Sequence, residues 1–251
     1  MEHIKVSVII PVWNQENLII RALESIPARD DIEIIVIDDG STDDTWNNMV
    51  NYRNKNISHQ NLVYFYNGEN KGVAYTVNRG YDNASGEYVV LLGSDDYFYY
   101  DEFQQIMEML DGTDLVYFNL KINDGTIFKV DKESSRNNYV GSVKFMRRDF
   151  IGDTRCPIEM KAREDYYFYQ ELLKKKPTEK FTDIAVKHYN FPRDGSLTDK
   201  ALKGEIWHIV TFFILKKYAK LVEQNNFYMK LPRNITCMIL LCFMMKLMNG
   251  N

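Results

Sequence analysis

The sequence predicts an α/β fold with a mostly parallel central sheet and a helical C-terminal extension, and three features of the chain carry that prediction. Residues 6 to 119 alternate short apolar runs with longer segments of mixed polarity. Turn residues bound each run. The runs are dense in Val, Ile, Leu and aromatic residues, as expected of strands whose two faces are both covered by helices.

In chain order, strands are expected at Val6–Pro11, Glu33–Asp38, Leu62–Asn67, Tyr88–Leu92 and Asp114–Asn119. Between them, polar-apolar periodicity predicts helices at Glu16–Ile26, Asp43–Lys55, Gly72–Asn83 and Asp101–Leu110, with Ser41 or Thr42 as an N-cap for the second. Past Asn119 a hairpin around Asn123-Asp124-Gly125 is expected, then a polar loop through Asn138. Arg163–Lys175 has helical character and stops before Pro177, and Phe181–Tyr189 returns as a strand. Helices near Lys203–Gln224 and Arg233–Met248 close the chain.

A chain of 251 residues with 45% hydrophobic content can bury one substantial core and carry an appendage. The net charge of −4 is unevenly spread: residues 200–251 carry about +6 and the remainder about −10. The acidic body argues against nucleic-acid binding. The basic, apolar tail suits either an anionic membrane surface met through residues 233–248, or packing against the body or a second copy in a homo-oligomer. Three cysteines with no CxxC pair fit a reducing compartment, and the polar start Met1-Glu-His-Ile-Lys before Val6 sets the expectation of no signal peptide. The run Cys237–Met245 is shorter than the roughly 20 residues that span a bilayer. The expectation is a cytoplasmic protein, at the inner face of the cell membrane where the tail attaches.

In open α/β sheets ligands collect beyond the carboxyl ends of the strands. Those ends here read Pro11-Val12-Trp13-Asn14-Gln15-Glu16, Asp38-Asp39-Gly40-Ser41-Thr42-Asp43, Asn67-Gly68-Glu69-Asn70-Lys71-Gly72 and Gly93-Ser94-Asp95-Asp96. In this order and spacing, VSVIIPVWN, IIVIDDGSTDDT, NKGVAYTVNRG and ASGEYVVLLGSDD resemble the inverting family 2 glycosyltransferases of the GT-A fold. The resemblance is strong over residues 5–100 and thinner through Arg163-Glu164-Asp165 to Gly195-Ser196-Leu197-Thr198. It implies a catalytic domain over residues 1–200, with a donor half at 1–100 and an acceptor half at 101–200, followed by a helical extension at 201–251. It also implies sugar transfer from a nucleotide sugar, most often a uridine diphosphate sugar, to a glycan or lipid-linked acceptor.

Residue by residue, the resemblance puts Pro11, Val12, Trp13, Glu16, Asp39, Asn70, Lys71, Asn78, Ser94 and Asp96 against the nucleotide sugar. A flat base needs a platform and an edge partner, which Trp13 and Asp39 can supply; core packing and capping of the Asp-Gly turn are their alternatives. Glu16 suits a ribose hydroxyl or a helix N-terminus equally. Asn70 and Asn78 can instead cap a turn or helix, and Lys71 can be solvated.

Charge growing on a departing diphosphate is economically stabilised by a divalent cation, Mn2+ or Mg2+, held by carboxylates. Asp95 is the expected direct ligand, Asp96 assists, and His188 is a third candidate. Two positions depart from the family pattern. Gly93 stands where members usually have an acid two places before the metal ligand, and Thr76-Val77-Asn78 stands where they often have Ala-Arg-Asn. For the proton of the acceptor hydroxyl the resemblance selects Asp165 as base. Adjacent carboxylates on a helix diverge, so Glu164 is expected to contact the acceptor rather than share the reacting centre. No Gly-rich phosphate loop follows the first strand and no GxGxxG follows any strand, which argues against nucleotidyltransferase and, more strongly, Rossmann dehydrogenase chemistry. A nucleotide-sugar-binding protein without catalysis is the competing class.

Overall fold

The computed structural model describes residues 3–55, 61–137, 142–160 and 163–191, all within one compact unit spanning Met1–Asp194. In chain order the elements are β1 (Val6–Val12), α1 (Ile19–Glu24), β2 (Ile32–Asp38), α2 (Thr45–Lys55), β3 (Leu62–Tyr66), α3 (Val73–Asn83), β4 (Tyr88–Leu91) and β5 (Tyr97–Phe98). They continue with α4 (Tyr100–Met107), β6 (Leu115–Ile122), β7 (Ile127–Phe128), α5 (Lys132–Asn137), β8 (Lys144–Arg147), α6 (Arg148–Ile151), α7 (Glu164–Lys174) and β9 (Glu179–Tyr189).

One nine-stranded sheet runs in the order β3-β2-β1-β4-β8-β6-β9-β5, with β7 paired to β6. The pairs β1–β2, β2–β3, β1–β4 and β6–β9 are parallel, whereas β8 runs antiparallel to both β4 and β6. The chain builds outward from β1 to β3 and then returns to lay β4 on the other side of β1. Such a reversal of strand order leaves a crevice at the carboxyl ends of the two strands flanking it. Here those ends are the Trp13 and Gly93 loops.

All of β2 and nearly all of β1 are buried, because helices cover the sheet on both faces. Helix α3 lies close against the sheet at Gly80, where a Cβ would stand 2.3 Å from the Ile9 side chain. Gly40 is required for a different reason: its φ is +72° and a Cβ would meet the Glu69 backbone at 2.5 Å. A buried polar knot joins β1 to β2, with the Ser7 hydroxyl donating to Glu33 Oε1 at 2.5 Å and the Ser85 N–H donating to the same oxygen at 2.6 Å.

The predicted strands and the first four predicted helices are present, with ends shifted by up to three residues. The hairpin at Asn123-Asp124-Gly125 is present as β6–β7. Three expectations need correction. Ser41 and Thr42 do not cap α2: Ser41 Oγ and the Thr42 N–H are engaged by Asn14, and the Asp43 carboxylate takes the Thr45 N–H. A short helix, α5, forms in the segment expected to be a loop, held at its start by Asp131 Oδ1 accepting the Ser134 N–H. Strand β8, which has no counterpart among the expected elements, fills the space between β4 and β6. The expected helices at 203–224 and 233–248 lie outside the described residues. Among the described residues no helix is long and apolar enough to cross a membrane.

Candidate active site

The loop after β1 is knitted to the loop after β2. The Asn14 N–H donates to Ser41 Oγ (2.9 Å), Asn14 Oδ1 accepts the Thr42 N–H (2.8 Å), and the Gln15 N–H donates to Thr45 Oγ1 (2.8 Å). Asn14 adopts a left-handed φ of 51°, a conformation asparagine tolerates better than most residues. Pro11 and Val12 end the strand beneath this loop, and the fixed loop leaves Trp13 projecting with 51% of its surface exposed. Glu16 accepts the Asp44 N–H at 3.0 Å, so its carboxylate supports the approach to α2.

Asp39 and Asn78 both hold the fold. Asp39 is buried and accepts from Asn67 Nδ2 (2.8 Å), the Lys71 N–H (2.9 Å) and the Gly72 N–H (2.9 Å), which pins the Asn70-Lys71-Gly72 turn. A carboxylate has about four acceptor positions, so roughly one remains. Asn78 exchanges two 2.8 Å hydrogen bonds with the backbone of Cys156, tying α3 to the segment before α7. Asn70 is exposed, and Lys71 is exposed with Nζ 5.0 Å from the Tyr75 ring centroid. Arg79 is consumed by Tyr66 O and Asn67 Oδ1. Asp38 has an unused group: one oxygen accepts the Ser41 N–H, the other is buried with no hydrogen-bond partner among the described residues, and burial raises its pKa.

At the end of β4, the Asp95 and Asp96 carboxylates converge over Gly93. A Cβ there would stand 2.9 Å from Asp96 Oδ2 and 3.0 Å from Asp95 Oδ1. Ser94 is buried beside them. Asp96 is firmly held, with Oδ1 accepting the Asn190 N–H (2.9 Å) and Oδ2 lying 3.1 Å from Lys187 Nζ. The Asp95 carbonyl accepts from Arg21 at 2.6 Å. The two carboxylates and the space above Gly93 fit a divalent cation that takes the rest of its oxygen shell from a bound ligand. Among the described residues no three His, Cys, Asp or Glu side chains are placed to hold a metal unaided. His188 is held by its neighbours: Nδ1 bonds the Tyr99 hydroxyl (3.1 Å), Nε2 bonds Asn123 Oδ1 (2.9 Å), and the ring stacks on Tyr97. Coordination through His188 would break one of those bonds.

A cavity of about 170 Å³ adjoins Gly93, lined by Pro11, Leu91 and Leu92 from the strands, Val73, Val77 and Tyr81 from α3, Ser142 and Lys144, Cys156, and Glu164, Asp165 and Phe168 from α7. Arg163, at a left-handed φ of 64°, turns the chain into α7. Glu164 and Asp165 both border this cavity, and Asp165 Oδ1 also accepts the Tyr166 N–H at the start of α7. Burial pushes the Glu164 carboxyl up to about 7, and the charge of Asp165 adds to the effect. Burial lowers Lys144 to about 8, with Asp165 acting against that shift and Lys187 adding to it.

Lys144 and Lys187 went unnoticed in the sequence. Both are buried in strands of the sheet, Lys187 completely, and nothing local distinguishes them from ordinary solvated lysines. Tyr81 was equally silent. Its hydroxyl is buried with no hydrogen-bond partner among the described residues.

The strand order, the acids at the switch point and the acid pair on α7 define a GT-A nucleotide-diphospho-sugar transferase fold. The chain belongs to glycosyl transferase family 2, whose family model matches residues 7–175. An uncharacterized glycosyltransferase of Rickettsia felis is 35% identical over 125 residues, covering 48% of this chain and 20% of that one. The GalNAc(5)-diNAcBac-PP-undecaprenol beta-1,3-glucosyltransferase of Campylobacter jejuni is 30% identical over 175 residues, covering 67% of this chain and 56% of that one. The chain thus spans about a fifth and about half of these relatives' lengths. Among solved structures, S. aureus TarS 1–349 in complex with UDP-GlcNAc superposes with a TM-score of 0.65 at 27% identity, covering 76% of this chain and 60% of that one.

Proposed function

We propose that the chain transfers a sugar, with inversion, from a nucleoside diphosphate sugar to a hydroxyl of a glycan or lipid-linked acceptor. The observation that carries this reading is the single cavity shared by Gly93, over which the Asp95 and Asp96 carboxylates converge, and by the acid pair Glu164 and Asp165. Kinship with TarS, solved with UDP-GlcNAc, favours uridine diphosphate as the carrier, and kinship with the Campylobacter enzyme favours a lipid-linked acceptor.

In this account residues 1–100 hold the donor. Exposed Trp13 stacks on the base, and the remaining acceptor position of Asp39 takes the ring N–H. Asp95, assisted by Asp96, would hold a divalent cation against the diphosphate, supplying charge stabilisation for the leaving group. Residues 101–200 supply the acceptor side. The Asp165 carboxylate takes the acceptor hydroxyl proton as that oxygen forms its bond to the anomeric carbon. The carbon–oxygen bond to the diphosphate breaks at the same time, and the diphosphate leaves with the electron pair. Glu164 hydrogen-bonds the acceptor, and Lys144 lines the same cavity.

Incubating the full chain with a panel of nucleotide sugars, Mn2+ or Mg2+ and candidate acceptors, and measuring nucleoside diphosphate release, tests the assignment. Acceptor-stimulated release from at least one donor is expected. Tight nucleotide-sugar binding without release would instead support a binding protein, the reading favoured by Gly93 and Val77.

A further inference from the structure

The Asp95 carbonyl is anchored from outside its own loop. Arg21, an exposed residue of α1, donates to it at 2.6 Å, and the same guanidinium lies 4.9 Å from the centroid of the Tyr97 ring. Tyr97 is stacked in turn on His188, with centroids 4.4 Å apart and planes 9° from parallel, and the two residues are register partners where β5 pairs with β9. His188 is fixed at both ring nitrogens, by Tyr99 and by Asn123. Arg21, Tyr97 and His188 thus form three layers running from α1 to β9, with the Asp95 peptide bonded to the first. One turn on, at the end of α1, Ser25 Oγ accepts the Phe98 N–H at 3.0 Å, which holds α1 against β5.

The two aspartates after β4 are held in different ways. The Asp96 carboxylate is bonded directly, by the Asn190 N–H and by Lys187. Asp95, the residue assigned to the cation, is held at its backbone carbonyl by a flat guanidinium, which limits the rotation of the residue that carries the carboxylate. An exposed arginine adds little to fold stability through its charge or its stacking. Arginine differs from lysine in having a planar face that stacks while its fork donates, and both are used here. Outer-shell groups that orient metal ligands typically govern ~10–100-fold in metal affinity.

We propose that Arg21, seated on the stacked rings of Tyr97 and His188, is a positioning residue that aims the Asp95 carboxylate at the divalent cation. The proposal rests on the reading of Asp95 as the metal ligand. The sign of the effect separates this role from plain electrostatics. A guanidinium beside Asp95 repels a cation, so loss of its charge alone would strengthen metal binding. Loss of an orienting contact weakens it.

Calorimetric affinities for uridine diphosphate, with and without Mn2+, give the enhancement due to the metal in the full chain, in Arg21→Gln and in Arg21→Lys. Arg21→Gln should reduce the enhancement about tenfold or more, while the metal-free affinity stays within about twofold of the parent. Its urea midpoint should hardly move, since the side chain is exposed. Arg21→Lys keeps the charge without the planar face and should recover only part of the loss. An enhancement of native size or larger in Arg21→Gln, or complete recovery in Arg21→Lys, overturns the proposal. A metal-free affinity reduced as much as the metal-bound one makes Arg21 a direct contact of the diphosphate and overturns it as well. Lack of any enhancement in the parent overturns it together with the metal site. Absence of acceptor-stimulated release contradicts the transferase reading alone, because none of these affinities depends on turnover.

Discussion

Lys187→Met strands a buried carboxylate, and the size of the effect follows from the surroundings of Asp96. Lys187 is fully buried, with Nζ 3.1 Å from Asp96 Oδ2 and donating to Ser142 Oγ at 2.5 Å. Methionine keeps most of the side-chain volume while removing the charge. Asp96, 2% exposed, would then keep the Asn190 N–H but lose its counter-ion. Breaking one side of a buried pair costs about 3–5 kcal/mol. A typical domain has about 5–15 kcal/mol in all, so the loss should be plain in a urea titration followed by circular dichroism. Replacing Asp96 by Asn in the same chain removes the stranded charge, and the pair of changes should be at least about 2 kcal/mol less damaging than the sum of the single ones. A Lys187→Met protein within about 1 kcal/mol of the parent, or strict additivity in the double variant, would refute the assignment of this pair as a structural support for the acids after β4.

Glu164 makes stability depend on pH. Its folded pKa, about 7, lies above the unfolded value of 4.5, so its contribution is fully present below pH 4.5 and is lost as pH rises through about 7. The fall is on the order of 3 kcal/mol at most, and Glu164→Gln should flatten it in denaturation curves collected across that range; an unchanged slope contradicts the buried placement. Asp95→Asn should weaken the enhancement of nucleoside diphosphate binding by Mn2+ or Mg2+ at least tenfold, measured by calorimetry with and without the metal. An enhancement of native size in that variant removes Asp95 from the metal site.

The donor half of the fold was legible because its central strands are buried on both faces and read as largely apolar runs, as β1 and β2 do; the edge strand β3, half exposed, still showed through its Val and aromatic residues. Helix α3 was equally plain, its Ala74, Val77 and Tyr81 forming one buried face. Strand β8 was not legible: it is four residues, begins with a lysine, and owes its existence to pairing with β4 and β6. The same distinction runs through the site. Asp95, Asp96, Glu164 and Asp165 could be put forward as candidates because their spacing follows recognisable motifs. Lys187 escaped because its partner, Asp96, is distant in sequence, and the Tyr81 hydroxyl because lack of a partner is a property of three-dimensional surroundings. Asp39 shows the limit from the other side. Its motif marks it for the nucleotide, while the fold spends most of its acceptor capacity on the Lys71 and Gly72 amides.

Turnover of Asp165→Asn, measured beside its nucleotide affinity, tests the central claim most directly. Loss of a positioned general base should lower acceptor-dependent nucleoside diphosphate release by about 10²–10⁴-fold. Because the role assigned to Asp165 is on the acceptor hydroxyl and not on the base or the diphosphate, the calorimetric affinity for the nucleoside diphosphate should stay within about twofold of the parent. Release within a few-fold of the parent would contradict the account and transfer the role of base to Glu164 or another group.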